Sequence, residues 1–275
     1  MSRTALVVGA AGGVGGALVK QLLEAGYHVI GTVLDDAEAS RLKTQSPGVA
    51  EIIKLDLTDA DSVANEIRKR VSAVDAVVVC AAIAPHGSLE IMPLADLRRT
   101  LEINTVSDLA IYQATMPLLR ASKGRILFIS SWAGKIGLPF LGHYVASKHA
   151  LEGLGDVMRR EAKKFGVKVI LVEAVGIRTP MASSQKTAVA LHRASLSPAD
   201  AALYGDLYDN YSNLLDGGWE NSVEPSAVAE IIVSALTVEH PAARYHACER
   251  AKYFCEVAKK PDAEIDNLIA KFWGS

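Results

Sequence analysis

Short apolar runs recur along the first two thirds of the chain, and most are followed by a segment with helical spacing. Ala5-Leu6-Val7-Val8, His28 to Val33, Glu51 to Leu55, Val74 to Cys80, Arg125 to Ile129 and Lys168 to Glu173 read as strands buried on both faces. Apolar residues three and four apart mark helices over Ala17 to Ala25 and His143 to Phe165, and a longer helical region that breaks near Asn104 and resumes to Leu119. From Ala182 to about Val223 the pattern weakens and Ser and Ala become frequent, with Tyr204, Tyr208, Tyr211 and Trp219 late in the stretch. A helix from Pro225 through Ala235, a last strand region at Pro241 to Tyr245 and an amphipathic helix from Pro261 to Trp273 follow. Strands alternating with helices predict one α/β domain over residues 1–275, a doubly wound and mostly parallel sheet of about seven strands flanked by helices, with a ligand across its carboxyl edge.

Composition removes several function classes. With 275 residues, half of them apolar, the chain can bury a large core. A net charge of −2 offers no general attraction to nucleic acid or to an anionic membrane. No uncharged apolar run reaches the roughly 18 residues that a membrane span needs. Cys80, Cys248 and Cys255 are too few and too scattered for a disulfide framework or a zinc cluster, so a cytoplasmic protein without a metal is expected.

Two stretches carry chemistry. Gly9-Ala10-Ala11-Gly12-Gly13-Val14-Gly15-Gly16 joins a strand to a helix. Glycines let the backbone approach a pyrophosphate, and free N–H groups at the helix start hold its charge. In the second stretch Ser131 stands thirteen residues before Tyr144, and Lys148 four after it, so the phenol and the ammonium share a helix face. A phenol ionises near pH ~10, and bringing it to neutrality removes about three units, or about 4 kcal/mol, of which an ammonium one turn away supplies part. At the end of the second strand an acid selects a free ribose 2′-hydroxyl and a base selects a 2′-phosphate. Asp35 and Asp36 stand there, and no Lys or Arg lies between Val33 and Arg41, which favours NAD while leaving NADP open. Acids also suit the start of a helix, and that reading of the pair stays equally open. Asp59 reads as the cap of the next helix.

The spacing Gly9-x3-Gly13-x-Gly15, taken with Ser131, Tyr144 and Lys148, resembles the short-chain dehydrogenase/reductase family from Gly9 to about residue 181. The segment from Pro225 to Tyr245 is similar to the closing part of its steroid and retinol dehydrogenase branch. The resemblance implies a Rossmann fold in which Tyr144 exchanges a proton with the substrate oxygen and Ser131 hydrogen-bonds the same oxygen. It also implies that Lys148 lowers the tyrosine pKa and holds the nicotinamide ribose, and that Asn104, through a local helix distortion, supports a water relay. Cofactor contacts are implied at Gly9, Gly13, Val14, Gly15, Asp35, Asp56, Leu57, Ala81, Ala82, Tyr144, Lys148, Ile177 and Thr179, with a homodimer or homotetramer as the assembly. Two turns depart from the family pattern: Cys80-Ala81-Ala82-Ile83 replaces Asn-Asn-Ala-Gly, and Ala174-Val175 replaces Pro-Gly.

The expected activity is hydride transfer between a nicotinamide cofactor and a lipophilic or aromatic secondary alcohol or ketone, with residues 182–223 as a lid and 226–275 as a closing segment. Met181, Leu191, Leu203, Tyr204, Leu207, Tyr208 and Leu214 make the lid region apolar, and Lys186 and Arg193 are its only Lys or Arg residues. The stripe Tyr204, Tyr208, Tyr211 serves equally well as packing that holds the lid to the domain. A catalytically weak dinucleotide-binding sensor is encouraged by the altered turns, and a sugar-nucleotide epimerase shares the Tyr and Lys. The joint presence of Asn104, Ser131, Tyr144 and Lys148 favours the dehydrogenase, since a pure binder has no need of the phenol.

Overall fold

The computed structural model describes residues 3–273, and the side chains of Trp219, Phe272 and Trp273 lie outside the described set. The strands β1 (Thr4–Val8), β2 (His28–Val33), β3 (Glu51–Lys54), β4 (Ala76–Val79), β5 (Arg125–Ser131), β6 (Lys168–Ala174) and β7 (Arg244–His246) form one sheet of order β3-β2-β1-β4-β5-β6-β7. All its neighbouring strands run parallel. The connections run through α1 (Gly13–Glu24), α2 (Asp36–Gln45), α3 (Ala60–Arg70), α4 (Leu94–Leu101), α5 (Ser107–Ser122), α6 (Gly142–Ala162), α7 (Pro180–Ala194), α8 (Pro198–Glu220) and α9 (Pro225–Thr237). After β7 come α10 (Glu249–Val257) and α11 (Asp262–Trp273). Among the described residues no helix is long and apolar enough to cross a membrane.

Side chains alternate between the two faces of each strand, and both faces are covered. Leu6, Val8, Val77 and Val79 enter a core with Ile67 of α3, Ile111 and Leu119 of α5 and Leu151 of α6. Ala5, Val7, Ala76 and Val78 enter the other, with Leu18 and Leu22 of α1 and Ile232 and Leu236 of α9. Each fully buried side chain of this size stabilises the fold by about 1.5–3 kcal/mol. The chain winds outward from β1 in one direction and from β4 in the other, so a crevice opens beyond their carboxyl ends.

The weakly patterned region 182–223 is helical, as α7 and α8. These helices close on a satellite core of Phe140, Val189, Tyr208 and Tyr211, with Phe140 edge-on to Tyr208 at 4.6 Å and stacked on Tyr211 at 5.2 Å. The apolar face of α11 packs on the body, where Ile265, Leu268 and Ile269 meet Ile136 and Phe254.

The far edge of the sheet is held by charge. Arg244 of β7 reaches Glu152 of α6 at 2.9 Å, Asp156 at 3.0 Å and Glu173 of β6 at 3.4 Å, and Lys135 joins Glu152 at 2.7 Å and Glu173 at 3.5 Å. His246 lies 2.9 Å from the second oxygen of Glu173. Both glutamates are buried, so removing the guanidinium leaves two carboxylates that share the Lys135 ammonium away from water. Arg244→Ala is expected to cost about 3–5 kcal/mol in denaturant unfolding. Arg160→Ala, which breaks only an exposed pair with Asp156 at 3.3 Å, is expected to stay within about 0.5 kcal/mol.

Candidate active site

One cavity of about 800 Å³ runs along the carboxyl edge of the sheet. At one end it is lined by Leu34, Glu38 and Arg41, in the middle by the glycine turn, and beyond that by Ser131, Tyr144 and Lys148. Gly9 has φ +77°, and a Cβ on it would lie 2.9 Å from the Ala81 side chain. A Cβ on Gly15 would collide with the carbonyl oxygen of Gly9. No side chain caps α1 and no acid stands in its first turn, so the helix start is left to an anion. Gly13, Val14, Asp56, Leu57, Ala81, Ala82, Ile177 and Thr179 line the same cavity.

Asp35 is the exception among the sequence-derived contacts. Its carboxylate accepts from the Glu38 amide at 2.8 Å and caps α2, outside the cavity lining. The helix-start reading of these acids is the one the fold uses. Glu38 turns back instead, accepting from the Leu34 amide at 2.8 Å and pairing with Arg41 at 3.3 Å. The pattern Asp35-x-x-Glu38, close to a capping box, is the signal that distinguishes the two acids. Asp59 caps α3 as expected, accepting from the Ser62 amide at 3.0 Å.

Asn104 sits at the break in the long helix, where a single π-helical turn spans Glu102–Val106. Its amide donates to the Ile83 carbonyl at 2.8 Å and to the Ser147 hydroxyl at 3.0 Å, and its oxygen accepts from the Ile83 amide at 2.9 Å. These bonds secure the Cys80-Ala81-Ala82-Ile83 turn. The second altered turn is fixed from the lid side: the Val223 amide donates to Gly176 at 2.8 Å, and the Arg178 amide to Val223 at 2.9 Å.

Ser131 ends β5, accepts from the Ala133 amide at 3.1 Å, donates to the Ala174 carbonyl at 3.3 Å and favours the ionised form of the Tyr144 phenol. Lys148 is buried one turn below and donates to the Ile129 carbonyl at 2.8 Å. Of the apolar lid residues read from the sequence, Met181 and Leu214 reach the cavity. Tyr208 packs in the satellite core, Leu191 and Leu203 are exposed, and Tyr204 donates to Glu90. Lys186 and Arg193 pair with Asp216 and Asp209 at 2.7 and 3.4 Å, away from the cavity.

Comparison with known proteins bears on this geometry directly. The family described as short chain dehydrogenase matches residues 3–190. The chain belongs to that family. It is 29% identical to an NADPH-dependent 3-dehydrocapnine reductase of Ornithobacterium rhinotracheale, covering 98% of this chain and 96% of the relative. It is likewise 29% identical to human 17-beta-hydroxysteroid dehydrogenase type 6, over 97% of this chain and 87% of that protein. A short-chain dehydrogenase from Streptomyces avermitilis superposes with a TM-score of 0.77 at 26% identity, covering 98% of this chain and 94% of its own.

The electrostatics of this short-chain dehydrogenase differ from the sequence expectation at the phenol. Burial raises Tyr144 above its ordinary value, opposed by the hydrogen bond from Ser131. The ammonium of Lys148 is turned toward Ile129 and lies 5.7 Å from the centre of the tyrosine ring. Burial lowers Lys148 in turn, and Asp108 of α5 is the main group opposing that shift. Asp108 is itself buried, pushed up to about 8, and its Oδ1 has no hydrogen-bond partner among the described residues. Sequence reading passed over Asp108, although it follows Asn104 by four residues and so shares its face. The Cys80 thiol is pushed up to about 12 by burial, consistent with a small apolar side chain at a strand end.

A raised phenol stays protonated through neutral pH and is available as a proton donor. A reduction that draws its proton from Tyr144 is expected to be flat through neutrality and to fall as pH rises past the phenol, with the reverse oxidation climbing over that range. Ser131→Ala removes the hydrogen bond that lowers the phenol, so the residual alkaline limb should move to higher pH in initial-rate profiles. A downward move would mean that Ser131 does not stabilise the phenolate.

Proposed function

We propose that this short-chain dehydrogenase is an NAD(P)-dependent alcohol dehydrogenase or ketone reductase acting on lipophilic or aromatic secondary alcohols and ketones. The observation that carries the reading is that Ser131, Tyr144 and Lys148 face the same cavity as the glycine turn and the uncapped start of α1. That cradle fits a dinucleotide, because the start of α1 has no side-chain cap and no acid in its first turn and borders the cavity through Gly13, Val14 and Gly15. Gly13, Val14 and Gly15 would hold the pyrophosphate, Asp56 and Leu57 the adenine, and Ile177, Thr179 and Lys148 the nicotinamide end. When bound, the nicotinamide supplies or accepts the hydride. Tyr144 gives its proton to the substrate oxygen in reduction and takes it back in oxidation, and Ser131 donates a hydrogen bond to that oxygen. Lys148 stands one helical turn from Tyr144, and the buried Asp108 is the main group opposing the downward shift of its ammonium. Trp132, Leu138, Met181, Leu214 and Phe254 give the substrate end its apolar walls.

NADP fits the adenosine end better than the bare sequence suggests. Asp35 is spent on its helix, while the guanidinium of Arg41 borders the cavity and can leave Glu38 for a 2′-phosphate. The similarity to an NADPH-dependent reductase supports the same choice.

Tyr144→Phe is expected to lower turnover by about a thousandfold, within the range of a lost acid-base group, while the cofactor dissociation constant changes less than about twofold. Near wild-type turnover of a lipophilic aryl ketone in that variant would end the proposed mechanism. Arg41→Ala should weaken NADP binding by about tenfold or more and NAD binding much less, measured by fluorescence titration. Equal losses for both cofactors would show that Arg41 does not read the 2′-phosphate.

A further inference from the structure

The lid contributes no cation to the cavity, yet the substrate end contains one. Arg250, in the first turn of α10, lines it together with Phe254 one turn later. The carboxylates among the described lining residues are Glu38 and Asp56, and both stand at the β2 and β3 end. Arg250 forms no ion pair among the described residues, and its neighbour Glu249 points to Lys252 at 4.0 Å. His86, Gln185 and Tyr211 are among the other polar side chains lining the cavity. Burial holds His86 down to about 4, so it is neutral at physiological pH. A fixed positive charge thus borders an otherwise apolar chamber without an acid to answer it.

Its position relative to the chemistry is set by a short chain of contacts. Trp132 directly follows Ser131, its ring lies 4.1 Å from that of Phe254, and the Arg250 guanidinium carbon is 5.8 Å from the Phe254 centroid. An aromatic pair therefore separates the hydroxyl that meets the reacting oxygen from the cation.

We propose that Arg250 is an anion-recognising subsite and that the substrate is an amphiphile. Its ketone or secondary alcohol lies at Ser131 and Tyr144, its apolar body lies along Trp132 and Phe254, and its far end carries a carboxylate-type anion that Arg250 binds. This deepens the reading of the cavity as an alcohol or ketone site and rests on it. A planar guanidinium pairs bidentately with such a group, and an apolar wall on either side strengthens the pair. A small 2-oxo acid, whose carboxylate adjoins the reacting carbon, cannot reach Arg250 and Tyr144 together.

The test uses γ-benzoylbutyrate, an aryl ketone with a terminal carboxylate, and its neutral methyl ester. Binding of each to the full chain in the presence of NADP is measured by calorimetry for wild type, Arg250→Ala and Arg250→Lys, and turnover with NADPH is followed separately. The carboxylate is expected to bind the wild type at least tenfold more tightly than the ester. Arg250→Ala should abolish that preference and Arg250→Lys should keep part of it, with the change appearing in KM rather than kcat. Equal binding of the two probes to the wild type, a preference that survives Arg250→Ala, or failure of both to bind overturns the subsite. Turnover of both ketones without a binding preference removes the subsite and leaves the reductase standing. A binding preference without turnover does the reverse.

Discussion

Three hydrogen bonds made by the Asn104 side chain join the loop after β4 to helix α6 beside the cavity. They tie a π-helical turn to the backbone of Ile83 on one side and to the hydroxyl of Ser147 on the other. Ser147 lies next to Lys148 and three residues after Tyr144, so the loop after β4 and the reactive face of α6 share one anchor. An amide buried this deeply is stabilising only while its bonds are made, and losing one strands a donor or acceptor away from water. That dependence makes the anchor rigid. The Cys80-Ala81-Ala82-Ile83 turn takes these bonds at Ile83 from the helix side.

Charge is distributed on a related principle. Away from the cavity, Glu152, Glu173, Lys135 and Arg244 compensate one another and pin the short β7 to the sheet. Along the cavity, Asp108 is the main group opposing the downward shift of the buried Lys148, and burial acts on phenol and ammonium alike to favour their neutral forms. The dominant influence on Tyr144 is therefore desolvation, with Ser131 the group that moderates it. A cavity walled by side chains such as Trp132, Leu214 and Phe254 creates that influence, and the same walls suit an apolar substrate.

The strands were legible because parallel strands covered on both faces are continuous apolar runs, and β2 matches its sequence reading from His28 to Val33. The break at Asn104 was legible as an interruption of helical period, and it is the π turn. Helices α7 and α8 were not, because their apolar residues are divided between the satellite core, the cavity and solvent, which blurs any single stripe. Tyr208 belongs to the first group, Met181 to the second and Leu203 to the third.

Local order decided what the sequence alone could establish: the strand, glycine turn and helix of residues 4–24, and the four-residue spacing that puts Tyr144 and Lys148 on one face. Both follow from backbone geometry and steric limits within a few residues of each other. Tertiary packing decided the rest. Asp35 and Glu38 are both acids at the start of α2, and the fold sends one to a helix cap and the other to the cavity. Arg250 lies more than a hundred residues after Tyr144 and meets the same cavity because β7 returns α10 to the carboxyl edge of the sheet. The ionisation of Tyr144 depends on its burial in the fold, which no local pattern records.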